Sequence, residues 1–242
     1  MTERRVALVK SAGRADAFAV ALRAAGFVPV LVSPFQREPI PQGEQELARA
    51  LAYALGLAVA PRRASVWVAV TSAHAVPALE AVRHLLPAAR LAAVGAGTAT
   101  ALHAAGLRAH VVGDAGGAGL AERMLDAGLG RGDVVLHPCA MEARVELRAT
   151  LADAGVTLRA LPVYRMTADP VGERAAEGEF HAVVVTSPRL AERALELFPA
   201  KPRVVAIGRT TAAALRDLGW TPAVVAATPS PADVAAAVGA LA

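Results

Sequence analysis

Two stretches of the chain carry the same order of apolar runs and polar turns. Residues 66–112 read VWVAVTSAHAVPALEAVRHLLPAARLAAVGAGTATALHAAGLRAHVV, and residues 182–225 read AVVVTSPRLAERALELFPAKPRVVAIGRTTAAALRDLGWTPAVV. Each runs apolar strand, Thr-Ser, helix, apolar strand ending in Gly, Thr-bearing helix, Gly, apolar strand. Ser72 and Ser187 stand 23 and 21 residues before Gly95 and Gly208, and 11 residues separate those glycines from Gly106 and Gly219. Short continuous apolar runs bounded by turn residues fit strands covered on both faces. The period of roughly 113 residues is too long for a solenoid and predicts two related domains.

The remainder alternates in the same way. Arg5–Val9 predicts a strand, followed by Lys10-Ser11-Ala12-Gly13, a helix from about Asp16 to Ala25 that stops at Gly26, and a strand over Val28–Val32. SPFQREPIPQG, residues 33–43, reads as a linker because it concentrates prolines, a glycine and charges. Residues 44–57 predict a helix. After the first copy, GDAGGAG (113–119) predicts a glycine-rich loop leading into a helix. Asp133–Leu136 predicts a strand with His137-Pro138-Cys139 at its C-terminal end; then come a helix over 141–154 and a strand over Thr157–Val163. This segment echoes the first thirty residues. Tyr164 opens a connector to about Gly178, and the tail is a helix with Ser230 as N-cap and Pro231 at its first position.

Alternation of β and α elements predicts an α/β fold with parallel sheets flanked by helices. The chain then holds four half-units, the N-terminal one, the first copy, the His137 segment and the second copy, and adjacency alone pairs the first two and the last two. The linkers at 33–43 and 164–178 instead make the middle half-units an inserted domain, with two crossings that form a hinge.

Composition narrows the class of protein. Hydrophobic residues make up 55% and aromatic residues 4%, so the core relies on small aliphatic side chains. No apolar run approaches the ~20 residues that span a bilayer. MTERRVALVK puts charges directly before a strand-like run without a signal-peptide apolar region, so a cytoplasmic enzyme is expected. One cysteine, Cys139, excludes an internal disulfide and a cysteine-based zinc site, and the histidines lack metal-site spacing, so no metal is expected. The net charge of +4 comes with scattered arginines and no basic run, which argues against a nucleic-acid partner and for an anionic small molecule.

In a doubly wound sheet, ligands bind beyond the C-terminal strand ends, where helix N-termini offer free N–H groups. Lys10-Ser11, Thr71-Ser72, Gly95 to Thr98, His137-Pro138, Thr186-Ser187 and Gly208 to Thr211 (with Arg209) all fall at predicted strand ends. That pattern predicts a wide anion-binding cleft between two domains, although Ser and Thr at such positions also serve as ordinary N-caps. GAGTAT comes close to a dinucleotide fingerprint, but Thr100 replaces its third glycine and the second copy, GRTTAA, lacks the second, so no nicotinamide cofactor is expected. Cys139 beside His137 reads as a buried strand-end residue rather than a nucleophile. Tyr164, one of two tyrosines, is placed to face the cleft, where a phenol donates a hydrogen bond to a leaving hydroxyl.

The double VTS…VG…T pattern, the LPVYR connector and the ending AIGRTTAAALRDLGWTPAVVAATPSP resemble the uroporphyrinogen-III synthase family over nearly the whole chain. The resemblance implies two similar α/β domains, each a parallel sheet flanked by helices, joined by a two-stranded linker. One domain then comprises 1–34 plus 168–242 and the other is inserted at 38–163. It implies a cofactor-free monomer, a lyase that cyclises linear hydroxymethylbilane to uroporphyrinogen III with inversion of ring D and loss of water, in porphyrin biosynthesis. It places the family's linker tyrosine at Tyr164 and its polar strand-end positions at Ser72, Thr98, Ser187 and Thr211. Many members carry Thr-Arg-Pro after the first strand, where this chain has Lys10-Ser11-Ala12, so Lys10 is expected to supply the charge there. The remaining substrate-binding candidates are Ser11, His137 and Arg209. The rival reading is a two-lobed protein of this fold that binds an anionic ligand, or regulates, without catalysis.

Overall fold

The computed structural model describes residues 3–11, 17–58, 64–114, 116–142 and 146–241. Ala12, Gly13, the Asp16 start of the first expected helix, Ala115 of the glycine-rich loop and residues 143–145 of the helix expected over 141–154 lie outside them.

In chain order the elements are β1 (Arg5–Val9), α1 (Ala17–Ala24), β2 (Val28–Val32), β3 (Phe35–Pro39), α2 (Gly43–Ala58), β4 (Val66–Val70), α3 (Val76–Ala81), β5 (Arg90–Ala93), α4 (Ala96–Ala104), β6 (Val111–Val112) and α5 (Gly116–Asp126). There follow β7 (Val134–Ala140), α6 (Glu146–Asp153), β8 (Thr157–Ala168), α7 (Pro170–Arg174), β9 (Ala182–Val185), α8 (Ala191–Leu197), β10 (Val204–Ala206), α9 (Arg209–Asp217), β11 (Val224–Val225) and α10 (Pro231–Gly239). The chain divides into two compact units, Met1–Gln36 with Thr167–Ala242, and Arg37–Met166.

The first unit holds a sheet of order β2-β1-β9-β10-β11 in which every neighbouring pair is parallel. Period-two alternation divides β1 between two cores. Val6 and Leu8 face Leu22 of α1 and Val234 of α10, while Ala7 and Val9 face Ala194 of α8 and Leu215 of α9. A strand buried on both faces has no polar positions, which is why RVALV and AVVV read as unbroken apolar runs.

The second unit's sheet has the order β3-β8-β7-β4-β5-β6, parallel from β8 to β6. Helices α2, α3 and α4 cover one face through Leu51, Leu79 and Leu102, and α5 and α6 cover the other through Met124 and Leu151. Counting β7 and β8 before β4 to β6 reproduces the first unit's strand order, so the two sheets are circular permutants. The echo of the first thirty residues in 133–163 is this permutation seen in sequence.

The repeat holds at the level of backbone angles. Gly95 and Gly208 precede α4 and α9 with the same φ of −178° and ψ of 177°. Gly106 and Gly219 end those helices at φ +70° and +71°, the left-handed conformation that glycine adopts without steric cost.

Four features differ from the sequence expectation. Residues 35–39 form a strand inside the expected linker. Its partners descend as its own numbers rise, with Asp169 N–H on Pro34 O, Arg165 on Glu38 and Ile40 N–H on Val163 O, so β3 and β8 are antiparallel. β8 therefore continues to Ala168 instead of ending at Val163, because β3 supplies a partner to the segment beyond its pairing with β7. Tyr164 lies within this strand and does not open a connector. β7 likewise runs to Ala140, so His137 sits inside a strand and not at its end. Pro138 is tolerated there because the β4 pairing stops at Leu136. The loop expected at 113–119 is already helical from Gly116.

α2 approaches β8 so closely that its first residue must be glycine. A Cβ on Gly43 would stand 2.6 Å from the Pro162 carbonyl oxygen and 2.8 Å from Val163 Cα, both backbone atoms. Gly56, near the other end of α2, has nothing within 4 Å. Gly43→Ala is expected to destabilise the protein by about 1–3 kcal/mol through overpacking, and Gly56→Ala to stabilise it by roughly 0.5–1 kcal/mol through helix propensity. Urea titrations of both variants check the opposite signs; two shifts of the same sign would contradict the close contact.

Candidate active site

The parallel strands of each unit bring their C-terminal ends to one edge, and the polar turns of the sequence collect there. In the second unit, the Thr71-Ser72 turn leaves β4 and enters a 3-10 turn at Ala73–Ala75. The Ser72 hydroxyl accepts the His74 N–H at 3.2 Å. In the first unit, Thr186-Ser187 leaves β9 and enters the 3-10 turn Pro188–Leu190, where no side chain caps the turn. Both threonines tie their strand to its neighbour at the point where strand order reverses. The Thr186 hydroxyl donates to the Val9 carbonyl of β1 at 2.9 Å, and Thr71 Oγ1 lies 2.8 Å from His137 Nε2 of β7. Such reversal points are where open α/β sheets bind ligands.

Beside each turn stands a helix without a side-chain cap. Gly95 and Gly208 carry no capping group, so the first-turn N–H groups of α4 and α9 lack a side-chain acceptor. Both helix ends carry partial positive charge suited to a carboxylate. Thr98 and Thr211 occupy the third position of these helices and are buried. Arg209 opens α9 and is exposed. Lys10 and Ser11 follow β1, and the Lys10 ammonium lies 6.0 Å from the Phe18 ring centroid. The structure thus groups Lys10, Ser11, Ser187, Arg209 and Thr211 at one sheet edge of the first unit, and Ser72 and Thr98 at one edge of the second.

His137 occupies a different kind of position. It is 4% exposed, and burial, with the charge of Arg148 second, lowers its pKa from the ordinary 6.5 to about 4. A neutral imidazole held this way fixes the Thr71 turn and offers no charge to an anion. Cys139 is buried, and burial raises its thiol pKa above the ordinary value, which keeps it protonated and unreactive.

Tyr164 is 5% exposed and belongs to the core between α2, α3 and β8, so its ring is packed inside the second unit and does not stand open as the sequence led one to expect. Its backbone carbonyl accepts the Met141 N–H at 2.9 Å beyond a bulge at Cys139/Ala140. Two side chains that sequence reasoning did not single out flank its ring. The His74 ring is tilted by 47° with centroids 5.8 Å apart, and Arg37 Cζ lies 5.7 Å from the phenol centroid. Arg37 Nε donates to the His74 carbonyl at 2.7 Å. Burial, then the Arg37 charge, lowers the His74 pKa, so this imidazole is neutral near pH 7. Arg37 was hidden because a charge between Pro34 and Pro39 reads as solvated linker. His74 was hidden because the second copy has Arg189 at the matching position.

Among the described residues, no group of three or more His, Cys, Asp or Glu side chains could hold a metal ion, and no helix is long and apolar enough to cross a membrane.

Comparison with known proteins bears on these edges. No curated protein sequence matches the chain. A mutant uroporphyrinogen III synthase from the extremely thermophilic bacterium Thermus thermophilus is 27% identical, with 98% of each chain covered and a TM-score of 0.59. A uroporphyrinogen-III synthetase from Helicobacter pylori is 18% identical over 99% of this chain and 100% of that one, at a TM-score of 0.66, and supports the fold. The family described as uroporphyrinogen-III synthase HemD matches residues 16–236. The match takes in the second sheet, the first sheet apart from β1, Tyr164 and the polar positions from Ser72 to Thr211, and the chain belongs to the uroporphyrinogen-III synthase family.

Proposed function

We propose that this enzyme cyclises linear hydroxymethylbilane to uroporphyrinogen III, inverting ring D and releasing water. The observation that carries the reading is the duplicated polar edge, with Thr-Ser turns and uncapped helices α4 and α9, in a chain of this family. A polycarboxylate is well served by many neutral donors and helix ends, which bind anions without a fixed counter-charge for each. Lys10 and Arg209 add positive charge. Tyr164 donates its phenolic proton to the departing hydroxyl, and the azafulvene that remains attacks through a spiro-pyrrolenine and rearranges. Holding the tetrapyrrole in one conformation supplies the rest, since orientation alone lowers such barriers substantially. The reading includes a cytoplasmic monomer.

Freshly generated hydroxymethylbilane, incubated with the protein and followed by isomer analysis, tests the activity. Uroporphyrinogen III is the expected product. Spontaneous, non-inverted product alone, in a folded protein, would leave the non-catalytic anion-binding alternative.

Distributed recognition makes a second expectation. Ser72→Ala, Thr98→Ala and Thr211→Ala each lower kcat/KM only a few-fold, because each removes one hydrogen bond of ~0.5–1.5 kcal/mol among many. Loss of all activity in any one of these variants, with the fold intact by circular dichroism, would reveal a focused catalytic centre instead.

A further inference from the structure

Arg37 is held where a surface arginine would not stay. Its Nε is fixed on the His74 carbonyl at 2.7 Å, and its Nη2 is buried with no hydrogen-bond partner. A guanidinium has five donors and normally turns a spare one to water, because a buried donor without an acceptor is destabilising. Glu38, its neighbour on β3, is engaged by Arg165 through bonds of 2.9 and 2.7 Å, and no ion pair among the described residues involves Arg37. The unneutralised cation lies instead over the Tyr164 ring at 5.7 Å, with the neutral His74 ring as the other neighbour.

We propose that Arg37 is a positioning residue for Tyr164, ordering the phenol against the His74 turn and stabilising the charge that develops on it during proton donation. The inference rests on the reading of Tyr164 as proton donor. When the hydroxymethyl C–O bond breaks, its electron pair leaves with the oxygen, which takes the phenolic proton and departs as water. The pyrrole is left cationic and the phenol anionic. That phenolate is neutralised by the proton released when the closed macrocycle regains its pyrroles. Until then the guanidinium is the positive charge against the ring, and rigid placement lets it act without reorganisation.

Arg37→Gln is expected to lower kcat about tenfold or more while KM moves less than about twofold, the signature of an interaction used in the transition state. Arg37→Lys keeps the charge and recovers part of the loss. In a Tyr164→Phe background, Arg37→Gln costs nothing further, since the hydroxyl it serves is gone. An arm independent of turnover uses 3-fluorotyrosine. Tyr53, the other tyrosine, is 68% exposed, so Tyr53→Phe leaves a single fluorine resonance, at residue 164. That resonance is expected to shift or broaden in Arg37→Gln, and in Arg37→Lys should Arg37→Gln fail to fold. A raised KM with unchanged kcat would assign Arg37 to substrate binding and overturn the proposal. An equal loss with and without the Tyr164 hydroxyl, or an unmoved fluorine line, would overturn it too. Absence of uroporphyrinogen III from the parent protein would instead retire the functional reading, while the fluorine line still decides whether Arg37 orders the ring.

Discussion

Tyr164→Phe lowers turnover by about ten- to a hundred-fold, roughly 1.4–2.7 kcal/mol of transition-state stabilisation, and leaves the protein folded. The substitution removes only a hydroxyl. The ring keeps its place in the core between α2, α3 and β8 and its contacts with His74 and Arg37. Loss of one buried hydrogen-bonding group costs about 1 kcal/mol of stability, which a domain of ordinary stability survives. Turnover with hydroxymethylbilane and a thermal melt are the two measurements. A melt close to the parent's with turnover cut tenfold or more is the expected pair. Unchanged turnover would make the tyrosine a packing residue and would move the search for a proton donor elsewhere on the β4 and β9 edges. The size of the effect is bounded because proton donation is one contribution; folding the substrate into the ring-closing conformation does not need the phenol.

What could be read from the sequence was whatever the fold repeats. Buried parallel strands need continuous apolar runs and helix ends need glycine at positive φ, and both copies also start a helix after a glycine, so two copies of each signal announced two related sheets. The places of Ser72, Thr98, Ser187 and Thr211, after a strand or in a helix first turn, were legible for the same reason. Features that occur once were not. β3 carries Gln36, Arg37, Glu38 and two flanking prolines, and it is a strand only because β8 offers an antiparallel partner far away in sequence. The extension of β8 past Tyr164 and the Arg37–His74 surroundings of the phenol follow from that one pairing. His137 was legible as a residue beside a strand end but not in its state, since β7 runs on to Ala140 and buries it. Tertiary pairing, not local propensity, decided these positions.

The buried state of His137 gives the enzyme a defined acid limit. Its folded-state pKa, lowered to about 4, lies below the ordinary 6.5 of an unfolded chain, so the unfolded state binds the proton more readily. The associated stability is complete above pH 6.5 and is lost as pH falls from there through about 4. The difference between the two values corresponds to about 3 kcal/mol in all, most of it gone by pH 4.5. His74 and His181 are lowered chiefly by burial as well and push in the same direction. His137→Gln isolates the residue, because a neutral amide replaces the imidazole and the other two histidines remain. Urea titrations at pH 7.5 and pH 4.5 are expected to show the parent losing about 2–3 kcal/mol more than the variant over that interval. Equal losses in parent and variant would mean that His137 is solvated or paired when charged, contrary to its 4% exposure. The consequence reaches function through Thr71. Protonation removes the Nε2 lone pair that can accept the Thr71 hydroxyl, and it places an imidazolium near Arg148 inside the sheet. The Thr71 hydroxyl must then turn from donor to acceptor, and activity is expected to fall in acid in step with the loss of stability, steeply in the parent and less so in His137→Gln.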